Sequence, residues 1–206
     1  MISRAARLTS AIAVVTAVLV SVATGQPSAA PSAALPVAQQ IIAAVLPLPA
    51  ELRAGATVLG YDGSNTLSVV RKGTNGMTCL APDPKAANFH VACYHESMEP
   101  FMLRGRELRA QGVTGPQVDT VRFAEAKSGK LVLPKQPASL YSLTGPTGSF
   151  DAVMGDAKTA RRLFVVYVPF ATAASTGISA APKQNEPWIM FPGTPKAHIM
   201  FVASMQ

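Results

Sequence analysis

Two cysteines in a chain of 206 residues constrain the fold more than any other feature, because each has only the other as a partner. Cys79 and Cys93 lie within Gly73 to Glu96 (GTNGMTCLAPDPKAANFHVACYHE), which also holds His90, His95 and the densest turn chemistry of the sequence. An even cysteine count in an oxidising compartment predicts a disulfide. Closing a loop of about 15 residues stabilises by roughly 3 kcal/mol on the chain-entropy estimate. It would also pin the 81–88 loop, whose prolines and charged residues bury little surface of their own. A thiolate metal or redox pair is the weaker alternative, since the spacing is not CxxC.

The oxidising compartment is inferred from the N-terminus. Arg4 and Arg7 form a positive n-region, and 11–23 (AIAVVTAVLVSVA) is an uncharged apolar run. Such a run falls short of the roughly 20 apolar residues that span a bilayer, and small residues suited to signal-peptidase cleavage follow it. Ala23-Thr24-Gly25 predicts cleavage before Gln26, with 27–34 as the alternative stretch; an uncleaved membrane anchor is the competing reading. Residues 1–25 are therefore expected to be a signal peptide of a periplasmic or secreted protein, with no transmembrane segment after cleavage. Loss of Arg4 and Arg7 lowers the formal charge from +7 to +5. That charge is scattered, with Arg104, Arg106 and Arg109 as its one tight cluster, so a solvated helix face is expected and a nucleic-acid partner is not.

Residues 26–50 are rich in Ala, Pro and Ser and read as a flexible tether, with a short helix over 39–46 stopped by Pro47 and Pro49. Order is expected from about Leu52, and 51–206 suits a single globular domain on length alone. Strands are expected at 56–61 and 67–71, joined by Asp62-Gly63-Ser64-Asn65 as a hairpin. A turn at 73–76 then leads into 77–80 as the third strand of a meander. A strand at 89–94 precedes a helix over 98–110, capped by Ser97 and ended at Gly112. Met98, Phe101, Met102, Gly105 and Leu108 share one helical face, and Gly105 there predicts the close approach of a neighbouring backbone.

Residues 116–126 read as a short helix or an irregular arm, and 131–133 and 139–143 as short strands. The continuously apolar 163–170 (LFVVYVPF) is expected to be a central buried strand. The polar loop 171–185 is long enough to face a ligand. A C-terminal hairpin of 187–191 and 197–202 turns at Pro192-Gly193-Thr194-Pro195. Together these predict an α+β fold, a mostly antiparallel sheet with one principal helix packed across it.

Three strings, LRAGATV at 52–58, RKGTNGMTCL at 71–80 and GTPKAHIM at 193–200, together with Cys93, resemble a family of exported bacterial proteins to which no activity is assigned. The family is characterised by a signal peptide, a GTNGxTC segment and a GTPxAHIM segment. The resemblance implies export and a shared fold, and no reaction. This chain departs in the middle, where a GPHxM-type segment is expected and 163–170 holds no histidine.

No GxSxG, SxxK, GxxxxGK[ST] or HExxH string occurs, so no catalytic signature assigns a reaction. The polar candidates are His95, Glu96, Glu99 and His198, of which His95, Glu99 and His198 could form a three-ligand metal site or an acid/base pair if helix geometry brings His95 and Glu99 to one face. Capping and hairpin hydrogen bonds are the plainer roles for the same residues. Trp188 is either core packing or a stacking platform for a ring-shaped ligand. The methionine stripe admits a copper reading, although Met at helical spacing usually fills core gaps. The leading expectation is an exported non-enzymatic protein with a small ligand or an envelope partner. The alternative is a metal-dependent or acid/base enzyme using His95, Glu99 and His198.

Overall fold

The computed structural model describes residues 33–63, 66–183 and 185–201. The expected signal peptide, residues 26–32 of the expected tether, Ser64 and Asn65 of the first turn, Gln184 of the 171–185 loop and Val202 of the last strand lie outside the described residues.

Eight strands make one sheet: β1 Thr57–Tyr61, β2 Leu67–Arg71, β3 Met77–Leu80, β4 Asn88–His95, β5 Ala138–Pro146, β6 Arg161–Tyr167, β7 Trp188–Met190 and β8 His198–Phe201. Their order is β2-β1-β3-β4-β5-β6-β8-β7. Every junction is antiparallel except β1 with β3. The fold is thus mixed α+β on a mostly antiparallel sheet. The helices are α1 Val37–Val45, α2 Ala50–Arg53, α3 Glu99–Ala110, α4 Gln117–Lys127 and α5 Ala173–Thr176.

Strand alternation sends odd and even residues of β4 to opposite faces. Phe89, Val91 and Cys93 meet α1 through Ala43, Ala44 and Leu46, whereas Tyr94 packs with Met98 and Phe101 at the start of α3. One face of the sheet therefore carries α1, and the other carries the α3–α4 pair. The single principal helix expected from sequence shares its face with α4, and α1 covers the reverse side.

Ordered packing also begins earlier than Leu52. Ala43 and Ala44 of α1 are fully buried. The Gln40 amide extends the hydrogen bonding of β1, accepting from Tyr61 N at 2.7 Å and donating to Tyr61 O at 2.9 Å. An uncharged, alanine-rich stretch reads as a tether until a sheet is placed under its apolar side.

The third strand corrects the meander. β3 exists where expected, but it lies beside β1 and parallel to it, Val58 opposite Cys79. The chain leaves β2, crosses the start of β1 and enters on its far side. Gly73 makes that crossing feasible: a Cβ there would lie 2.2 Å from Thr57 N and 2.3 Å from Gly55 O. Thr74 N then donates to Gly55 O at 2.7 Å, and the Asn75 amide donates to Leu52 O at 2.7 Å. Arg71 seals the corner by donating to Ala56 O and, at 2.6 Å, to Arg53 O.

The disulfide forms across the β3–β4 pair, Cys79 facing Cys93 in register with Cα atoms 4.0 Å apart and an S–S bond of 2.06 Å. Both residues are fully buried against α1. The clamp therefore ties two neighbouring strands in the core, and the 81–88 loop is the connection it closes.

α3 carries Phe101, Gly105 and Leu108 on its buried face, as the spacing requires. It ends at Gly112, where Val113 N reaches back to Leu108 O at 2.9 Å, the bonding of a Schellman-type stop. Its start differs from expectation. A 3-10 turn over Glu96–Met98 comes first, and the acceptor at that turn is the His95 side chain, which takes Ser97 N.

β6 starts at Arg161 and stops at Tyr167, three residues short of Phe170, which is exposed with φ 64°. Residues 131–133 form no strand, although Leu131 is buried. The C-terminal hairpin pairs Ile189 with Ile199, and β8 inserts between β7 and β6.

Candidate functional site

A cleft of about 220 Å³ opens where the 82–88 connection meets the turn after β5. Pro82, Pro84 and Phe89 line one part of it, and Thr147 and Phe150 another. The rings of Phe89 and Phe150 are nearly parallel, with centroids 6.2 Å apart. Asp83 and Asn88 supply polar groups on the lining, the composition of small-molecule sites in general: apolar walls with a few placed polar atoms. Thr147 Oγ1 donates to Ala87 O at 2.6 Å and joins the two sides. The disulfide fixes the far ends of this connection, since it lies between Cys79 and Cys93.

The residues singled out from sequence are placed elsewhere. Tyr94 and His95 are adjacent on β4 and so project to opposite faces. Glu99 goes with Tyr94: its carboxylate accepts from Tyr94 Oη and from Arg106 Nη2, both at 2.5 Å. Burial and the bond to Glu99 push the Tyr94 phenol well above its ordinary pKa. His95 instead bonds Ser97 Oγ through Nδ1 at 2.9 Å.

His198 sits on β8, with β5 and β6 between it and β4, about 14 Å of sheet at normal strand spacing. The three expected ligands are not assembled, and among the described residues no group of three His, Cys, Asp or Glu side chains is placed to hold a metal ion. Trp188 packs half-buried beside Met200 and Met190, a core role. The methionines of α3 behave likewise: Met98 is buried and Met102 packs against the same cluster, so their sulfurs do not surround a histidine at the surface. Of the 171–185 loop, the first part is tied down by α5, whose Thr172 and Ser175 form a reciprocal capping box.

A charged cluster that the sequence reading missed lies between α4 and the turn before β8. Asp119, in the first turn of α4, accepts from Lys196 Nζ at 2.8 Å and from Arg122. Arg122 is 5% exposed, donates to Phe101 O at 3.1 Å and lies over the Phe101 ring. Gly105 makes room for it, since a Cβ there would sit 3.0 Å from Arg122 Nη1. The close neighbour announced by that glycine is thus a guanidinium, not a backbone. Burial alone would raise the Asp119 pKa, but the hydrogen bonds from Lys196 and Arg122 outweigh it and hold the carboxyl below its ordinary value.

His198 borders this cluster. Its Nδ1 lies 2.7 Å from Lys196 O, and a carbonyl can only accept, so Nδ1 carries the proton. The ring lies between Tyr167 and Phe191 at centroid distances of 4.9 and 5.9 Å. Burial lowers its pKa, and burial pushes Tyr167 up to about 12. Arg104 pairs with Glu125 and Glu107, and Arg106 with Glu99, so these two members of the basic cluster are neutralised by carboxylates.

Among the described residues no helix is long and apolar enough to cross a membrane. No family model, no curated protein and no solved structure matches this chain.

Proposed function

We propose that this chain is an exported, non-enzymatic protein of the cell envelope or exterior that binds a small, largely apolar ligand in the cleft lined by Phe89 and Phe150. The observation that carries the reading is the cleft itself, apolar-walled, edged by Asp83 and Asn88, and braced by a core disulfide. Export is supported by Arg4, Arg7 and the apolar run that follows them, and by a disulfide of the kind that persists outside the reducing cytosol. The non-enzymatic reading is supported by the fate of the polar candidates: His95, Glu99 and His198 each spend a side-chain atom on a hydrogen bond that shapes the fold.

Kinship with the exported family sharing GTNGxTC and GTPxAHIM segments belongs to the same proposal. Both strings are built into tight crossings here, which gives a physical reason for such strings to be held. Gly73 and Asn75 press on the 52–57 segment, while Gly193 N donates to Ala171 O and Thr194 O accepts from Phe170 N, both at 2.8 Å.

The test is a titration with Nile red, a neutral apolar dye that does not favour the basic surface. Saturable fluorescence enhancement is expected, weakened about tenfold by Phe150→Ala, on the order of 1.4 kcal/mol for a lost aromatic wall. Phe201→Ala, which removes an exposed ring at the far strand, should leave it unchanged. Equal weakening by both substitutions, or none by Phe150→Ala, would remove the cleft from the proposal.

A further inference from the structure

A second cavity, about 400 Å³, lies beside the C-terminus of α1. Arg53, Lys158, Arg162 and Asp156 line it, with Leu46 and Ala160 among its apolar walls. It shares no residue with the Phe89–Phe150 cleft.

Its guanidiniums converge. Arg53 Nη2 and Arg162 Nη2 both donate to Leu46 O, at 3.1 and 3.4 Å. Arg53 Nε also donates to Leu48 O at 2.9 Å, and Arg162 Nη1 to Pro47 O. Each guanidinium has five donor hydrogens, so both keep donors beyond those spent on these carbonyls.

Two cations sharing one carbonyl repel each other unless negative charge lies near. The end of α1 supplies roughly half a charge. The carboxylate lining the cavity, Asp156, is already paired with Lys158 at 3.1 Å. Among the described residues neither Arg53 nor Arg162 makes an ion pair with a carboxylate. The cavity is therefore left with an excess of positive charge, and fork-shaped guanidiniums match the oxygens of a carboxylate or phosphate.

We propose that this cavity is an oxyanion-binding site that takes a phosphate or carboxylate group between Arg53 and Arg162. The group belongs either to a free small molecule or to the headgroup of an anionic lipid. The lipid source has its own observation: Val153 and Met154, 94% and 65% exposed, project from the turn that leads into the cavity-lining Gly155 and Asp156.

The test uses the oxidised protein with two probes, inorganic phosphate and vesicles of phosphatidylglycerol, with phosphatidylcholine vesicles as the uncharged control. Ala160→Asp plants a carboxylate on the cavity wall, where it would occupy the guanidiniums without removing their hold on α1. Its melting temperature reports that it folds; Lys158→Glu, on the exposed rim, carries the test if it does not. A rise in melting temperature with phosphate, abolished by Ala160→Asp, establishes a site for free anions. Cosedimentation with phosphatidylglycerol that is lost in Ala160→Asp and in Val153→Ser/Met154→Ser, without a phosphate response, establishes a headgroup site. No response to either probe, or a response that survives the added carboxylate, overturns the proposal.

Discussion

The two faces of the sheet are held by different kinds of interaction. Beneath α1, a buried disulfide and side chains that end on the backbone do the work: Gln40 on Tyr61, Arg53 on Leu48, Arg71 on Ala56 and Asn75 on Leu52. On the α3–α4 face the fastening is charge on charge, with Arg104 on Glu125, Arg106 on Glu99, and Asp119 between Arg122 and Lys196. A side chain that satisfies a main-chain carbonyl fixes geometry with little regard to ionic strength. A fastening built from ion pairs changes with salt and pH. The molecule should therefore loosen from different sides under reductant and under acid.

Reduction should act on the first face and have the largest effect. Replacing both cysteines by alanine is expected to cost about 3 kcal/mol, the loop-closure contribution of a 14-residue separation. Urea unfolding at low and high salt measures it, since urea adds no ionic screening of its own. The loss should be nearly the same at both salt levels, and hydrogen exchange should quicken first in β3 and β4. A cost that collapses at high salt would break the contrast between the faces.

Asp119→Asn addresses the other face. Removing one partner of a buried pair costs 3–5 kcal/mol when the remaining charge is stranded. Arg122 is almost wholly buried, but the Asp119 side chain is 25% exposed, so solvent softens the loss to about 2 kcal/mol. High salt should shrink it further. Exchange should rise in α4 and at the β7–β8 end while β1 and β3 stay protected. If β3 loosens as much as α4, the faces are coupled more tightly than their separate fastenings imply.

What was legible in the sequence is what depends on neighbours along the chain. The β1–β2 hairpin, the terminal hairpin, the buried face of α3 and the disulfide follow from alternation, helical spacing, turn residues and cysteine count. The position of β3 did not, because a turn followed by an apolar run reads as a meander whichever side of β1 receives it. The choice rests on Gly73 fitting against 55–57 and on Arg71 reaching Ala56 and Arg53. The site fared similarly. The Asp119–Lys196 pair joins residues 77 positions apart, and no local pattern announces such a meeting. Gly105 was the one hint, and it marked a close neighbour without naming Arg122. The His95, Glu99 and His198 grouping failed for a local reason, since β4 runs through His95 and turns it away from the face that Glu99 joins.

The smallest effect sharpens the comparison furthest, because it isolates one proton on the charged face. Burial holds the His198 pKa below its ordinary 6.5; the bond from its Nδ1–H to Lys196 O pulls it back up, and the Lys196 charge lowers it again. The folded chain thus releases this proton more readily than the unfolded one. Between the folded value and about 6.5 the unfolded chain binds more protons, so stability rises with pH there. It is complete above that range and is lost as pH falls through it. His90, whose pKa burial also lowers, contributes with the same sign, so the measurement must be a difference. Urea midpoints between about pH 5 and 7 should fall with acid in the wild type, less steeply in His198→Gln, and less steeply by a separate increment in His90→Gln. The His198 increment should vanish in an Asp119→Asn background if opening of the Lys196 turn already exposes the ring. Its persistence there would mean that the aromatic walls of Tyr167 and Phe191, not the ion pair beside them, keep this histidine neutral.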